Sequence, residues 1–177
     1  MPPPGRYRCP LTDVRSVFVD SAWASLSTTR VEIWSHFESV TQLFERIAPG
    51  LATHAWLGGS FISPKVDPDD IDVTYLLDGK VYDTLSATKQ GKVKRLSARQ
   101  GSVSALRHHK GLRVDCFTFV TRLVAMPWGS LDADEADYFS KRGLWDDWWQ
   151  RERSGPKGSD PVEHDAVPRR GYLEVAL

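Results

Sequence analysis

The sequence predicts an α/β protein folded as one domain. Short runs rich in β-branched and aromatic residues alternate with longer segments of helical period. The length of 177 residues is that of one domain burying roughly 70% of its unfolded surface. A small-residue turn, Gly58-Gly59-Ser60, leads into an acidic strand start, Asp70-Ile71-Asp72, which is the layout of a ligand site.

The elements follow in order. Residues 1–15 read as a disordered or extended lead opened by Met1-Pro2-Pro3-Pro4-Gly5, with the domain proper at 16–177. Residues 30–48 form the clearest helix. Val31, Ile33, Trp34, Phe37, Val40, Leu43, Phe44 and Ile47 make its apolar stripe, and Pro49-Gly50 stops it. Ala55-Trp56-Leu57 is a short strand feeding the glycines, and residues 71–77 are a strand ended by Asp78-Gly79. Residues 81–99 read as a weakly amphipathic helix, with Lys89, Lys92, Lys94, Arg95 and Arg99 forming a solvated face. Arg107-His108-His109-Lys110 reads as a loop before a strand over 112–120. Residues 133–150 predict a helix or helix pair bearing Trp145, Trp148 and Trp149. These either pack on the sheet or offer a stacking platform. Residues 151–170, with Arg151, Arg153, Lys157, Arg169 and Arg170, read as a long mobile loop, and 171–177 as a last strand.

Composition excludes several classes. Lysine plus arginine equals aspartate plus glutamate at 23 each, so no bulk basic field advertises nucleic acid. Cys9 and Cys116 make neither a disulfide framework nor a zinc spacing. No apolar run approaches membrane-spanning length and no secretory pattern opens the chain, so a cytoplasmic setting without membrane contact is expected.

The chemistry lies in three carboxylates and a turn. Residues at i and i+2 of a strand share a face, so Asp70 and Asp72 point the same way, roughly 6–7 Å apart at their bases. Carboxylates so placed suit two divalent ions separated by about 3.5–4 Å. Asp67 and Asp69 belong to the preceding turn as solvated residues. An EF-hand reading fails, because position six lacks glycine and position twelve is Asp78. Asp115 shares a strand face with Arg113, Phe117 and Phe119. Set on a strand beside residues 71–77, about 4.8 Å away, it would come within reach of the same ions, and a salt bridge to Arg113 or another base is the competing fate. Gly58 and Gly59 allow close backbone approach to a ligand, and amides at Ser60 can face a phosphate. Lys65 either touches that phosphate or is an exposed loop lysine.

Leu57-Gly59-Ser60, nine further residues, Asp70-Ile71-Asp72-Val73, and the later Val114-Asp115-Cys116 together resemble the signature of polymerase-beta-type nucleotidyltransferases. The phrase Pro68-Asp69-Asp70-Ile71-Asp72 resembles a small, poorly characterised bacterial and phage branch of that superfamily. The resemblance covers roughly residues 30–120. It implies a palm-like mixed sheet flanked by helices, with Gly58, Gly59, Ser60 and Lys65 at a nucleoside triphosphate. It also implies Asp70, Asp72 and Asp115 as catalytic ligands of two magnesium (or manganese) ions. The implied reaction moves a nucleoside monophosphate, ATP-derived or other, onto a hydroxyl of a protein, RNA or small molecule. The minimal antitoxin-type members carry an arginine shortly after Gly-Ser, where this chain offers only Lys65. A different class remains open: a non-catalytic nucleotide sensor, or the partner of a toxin or defence protein. The 151–170 loop can close over a nucleotide in either case.

Overall fold

A computed structural model describes residues 2–100, 103–156 and 159–177. The chain forms β1 (Gly5–Arg8), α1 (Leu11–Arg15), a π-type turn (Ser16–Asp20), a 3-10 turn (Ala24–Leu26) and α2 (Arg30–Ile47). Then come β2 (Ala52–Gly58), β3 (Ile71–Asp78), α3 (Gly79–Asp83), α4 (Ala87–Leu96), β4 (Arg99–Gln100), β5 (Val103–Ser104) and α5 (Ala105–Lys110). The chain closes with β6 (Val114–Thr121), α6 (Ala133–Trp149), a 3-10 turn (Glu163–Ala166) and β7 (Gly171–Ala176). Among the described residues no helix is long and apolar enough to cross a membrane.

Five strands make one mixed sheet in the order β1-β7-β2-β3-β6. The β1–β7 and β3–β6 pairs are parallel, and β2 runs antiparallel to both β3 and β7. Alternation along β3 sends Tyr75 toward α2, where it stacks near Phe37 and Phe44, and Thr74 toward α6, where it accepts from the Trp149 indole at 3.0 Å. The sheet is therefore covered on both faces.

Each helix has a local cause. α2 buries Ile33, Trp34, Phe37, Val40, Phe44 and Ile47 at helical spacing, while Val31, expected in that stripe, is exposed. Ser27 Oγ accepts from the backbone N–H of Thr29 and Arg30 at 3.1 Å each, satisfying two free donors at the helix start. The helix expected over 81–99 is two. Asp78 caps α3 by accepting from Val81 N–H at 2.9 Å, and Ser86 caps α4. A second capping side chain, Ser86 accepting from Lys89 N–H at 3.4 Å, restarts the helix inside an apolar-poor segment, which periodicity did not register. The loop expected at Arg107–Lys110 is helical too, with Ser104 capping α5 and left-handed Gly111 ending it. α6 is one helix, opened by the Asp132–Glu135 capping box.

The opening expected as a disordered or extended lead carries a paired strand. Arg8 Nε donates to Glu174 at 2.6 Å, Arg6 lies 3.3 Å from the same carboxylate, and Trp56 Nε1 donates to it at 2.8 Å. That carboxylate is buried, so three donors offset its desolvation. Met1 and Lys157 lie outside the described residues.

Candidate active site

The site forms where β2, β3 and β6 meet the end of α6. β3 pairs with β6 so that Asp72 faces Asp115, and β2 ends with Gly58 opposite Asp72. Asp115 thus stands on the same side of the sheet as Asp72, one strand over. Phe117, two residues on, continues that face into Trp145 and Trp149, with ring centroids at 4.3 and 5.8 Å.

The turn presses on the acid. Gly59 has φ +71, and a Cβ there would stand 1.7 Å from Asp72 Oδ2. A Cβ on Gly58 would stand 2.6 Å from Trp149 Cε3. The two glycines therefore make different close approaches, one to a carboxylate and one to an indole. Beyond them the chain turns tightly. Ser63 N–H and Ser63 Oγ both donate to Ser60 O, at 3.2 and 2.7 Å.

That turn is held from beneath by Arg30, whose guanidinium is fully buried. It donates to the carbonyls of Phe61 at 2.6 Å, Ser63 at 2.9 Å, Lys65 at 2.6 Å, Val66 at 3.2 Å and Phe18 at 3.2 Å. Five donors in a rigid fork fix the segment between the glycines and the acidic strand. Asp67, expected to be solvated, joins this scaffold by accepting from Ser27 Oγ and Thr28 N–H at 3.0 and 2.8 Å. Asp69 keeps a looser contact with Lys65 at 3.7 Å, and its carbonyl accepts from Arg113 Nε at 2.6 Å. Arg113 also reaches Glu32, so it is not the partner of Asp115.

Asp70 and Asp72 line a cavity of about 470 Å³ with Ser60, Lys65, Trp148, Arg151 and Arg170. Burial first, then the neighbouring charges of Asp70 and Asp115, push the Asp72 carboxyl up to about 7, against opposition from Arg170 and Arg99. The outer acids have found cations. Arg107 Nη1 donates to Asp70 at 2.5 Å, and Arg99 reaches Asp115 at 3.3 Å. Among the described residues no three carboxylate, histidine or cysteine side chains are gathered tightly enough to hold an ion as they stand. The donor set itself is all hard oxygen, and burial together with repulsion from Asp70 and Asp115 outweighs what Arg170 and Arg99 relieve at Asp72. That chemistry fits a divalent cation once Arg107 and Arg99 swing aside.

Two arginines complete the cavity. Burial and the opposing charge of Asp72 act on Arg170, whose net shift is downward. The Nε atoms of Arg170 and Arg151 are buried without a hydrogen-bond partner. Both were legible only as members of a charged loop. Among its described residues that segment is irregular apart from its 3-10 turn, and Asp165 ties it down by accepting from Ser154 N–H at 3.0 Å and Val162 N–H at 3.1 Å. Of the three tryptophans, Trp145 and Trp149 stack on each other at 5.6 Å, and Trp148 and Trp149 both line the cavity.

Residues 1–175 match the profile of a family of unknown function (DUF6932). No curated protein and no solved structure matches the chain.

Proposed function

We propose, for a chain that belongs to the DUF6932 family of unknown function, that the cavity binds a nucleoside triphosphate and that the protein is a metal-dependent nucleotidyltransferase. The mixed five-stranded sheet with helices on both faces supports a polymerase-beta palm-like fold for it. The observation that carries the reading is Asp72, packed on Gly59 and crowded by Asp70 and Asp115 inside a cavity that also holds two arginine Nε donors without partners.

In this reading the Ser60 turn, with Gly58 and Gly59, receives the β- and γ-phosphates. Lys65, Arg151 and Arg170 neutralise them, and Trp148 offers its face to the base. Asp70, Asp72 and Asp115 would hold magnesium or manganese. When bound, the ions supply an acidified acceptor hydroxyl and a stabilised leaving oxygen. The acceptor hydroxyl gives up its proton to water, its oxygen bonds to the α-phosphorus, the bond from that phosphorus to the oxygen bridging the β-phosphate breaks, and pyrophosphate leaves. The acceptor is a hydroxyl of a protein, an RNA or a small molecule.

The arginines on the outer acids favour a second reading. With Arg107 on Asp70 and Arg99 on Asp115, the acids are already partly neutralised. A protein that keeps them so would sense a nucleotide, or meet a toxin or defence partner, without transfer chemistry.

A thermal-shift screen of the four triphosphates with magnesium tests binding. At a hundredfold excess over the dissociation constant, the cognate triphosphate is expected to stabilise the chain by about 2.7 kcal/mol, roughly 5–11 °C in midpoint. Arg170→Ala should cut that shift by at least half, each shift being read from the protein's own ligand-free midpoint, because Arg170 also opposes the charge of Asp72 and its loss lowers that midpoint too. An unchanged shift in the variant would remove Arg170 from the phosphate site.

A further inference from the structure

A second cavity, about 550 Å³, opens between α2, α4 and α5, on the other side of the sheet from the acidic site. Its floor is aliphatic, made by Leu43, Ile47, Leu96 and Leu106. Its rim is cationic, made by Lys89, Lys92, Arg95 and Lys110, with Arg46 across from them. Among the described residues no carboxylate lies within ion-pair distance of these five. In a chain of zero net charge, so much unpaired positive charge on one face must be balanced elsewhere.

The balance lies beside the most exposed apolar segment. Between β6 and α6, Leu123 is 90% exposed, Trp128 82% and Met126 62%. Gly129 N–H donates to Met126 O at 3.0 Å, closing a tight turn that presents Trp128 at its tip. Asp132 and Glu135 follow at once in the capping box of α6, with Asp134 and Asp137 beside them in exposed ion pairs to Arg122 and Lys141 that water already screens. Apolar groups exposed in this way, flanked by acids, mark a contact surface.

We propose that this turn docks in the basic-rimmed cavity of a second copy of the same chain. Trp128 enters over the aliphatic floor, and the acidic start of α6 meets the lysines and arginines of the rim. The match is one of shape and charge. A 550 Å³ cavity admits an indole with room to spare, and rim cations lie well over an aromatic face. Among the described residues only His109 offers the cavity a ring, a single stacking surface for a base, so nucleic acid is the poorer occupant. Turn and cavity are different patches, so a closed assembly needs the two copies to exchange them reciprocally.

Sedimentation velocity over a concentration series tests this. The wild-type chain is expected to self-associate, and the association should weaken with added salt. Trp128→Ser and the double variant Lys92→Glu/Arg95→Glu should each weaken it by roughly thirtyfold or more. Both change exposed side chains, so their circular dichroism and melting should match wild type. Mixing the two variants should restore a pair, because one keeps its cavity and the other its turn. A wild-type chain that stays monomeric overturns the proposal, whether or not a short RNA or acidic peptide then binds the cavity. So does self-association that neither variant weakens.

Discussion

Gly59→Ala is expected to abolish triphosphate binding and to lower the unfolding midpoint by roughly 6–12 °C, about 3 kcal/mol for a chain of this size. Two costs add. The residue sits at φ +71, where an L side chain is strained, and its new Cβ would stand 1.7 Å from Asp72 Oδ2. The carboxylate must then rotate away from the turn that shapes its side of the cavity. Gly50→Ala separates the two costs, because Gly50 has φ +67 with nothing within 4 Å of the added atom. That control should lose only the backbone part, about 1 kcal/mol. Equal losses in the two variants, read by calorimetry, would show that the contact with Asp72 contributes nothing.

Asp72→Asn should remove transfer completely and yet stabilise the metal-free chain at neutral and higher pH. The Asp72 carboxyl is pushed up to about 7 from 3.8 by burial and by Asp70 and Asp115, with Arg170 and Arg99 opposing. An acid whose folded pKa is raised holds its proton longer in the folded state than in the unfolded one. Its cost is therefore absent below about 3.8, grows as pH rises from there to about 7, and stands in full above that. The difference at pH 8 is on the order of 2–4 kcal/mol in favour of asparagine. Midpoints of the two proteins should coincide near pH 4 and diverge toward pH 8, and magnesium should narrow the gap by stabilising wild type. Parallel midpoints at every pH would mean that Asp72 is not a strained acid.

How much of this was readable beforehand depends on the range of each interaction. Strand alternation and neighbour spacing said that Asp115 could reach the Asp70–Asp72 face from an adjoining strand, but the pairing of β6 with β3 that puts it opposite Asp72 is long-range and has no local signal. The stripe of α2 followed from its period. The breaks around Ser86 and Ser104 were missed because a single capping hydroxyl outweighs a weak period. Arg113 is the arginine nearest Asp115 in sequence, yet it serves the Asp69 and Pro68 carbonyls and Arg99 takes the acid instead. Charge spacing along the chain cannot say which arginine arrives. Arg30 was invisible for the same reason. It lies on a helix, and its five acceptors belong to segments brought beside it only by folding. The pairing of β1 with β7 joins opposite ends of the sequence and has no local signal.

Transfer itself is the most direct test. Each triphosphate, labelled at the α-phosphate, would be incubated with the purified protein, magnesium and a cell lysate, and RNA, protein and small molecules would be separated afterwards. Label fixed in one fraction by wild type, matched by pyrophosphate release and absent with Asp72→Asn, is the predicted result. Label in no fraction with any of the four, from protein that melts as folded, would contradict the transferase.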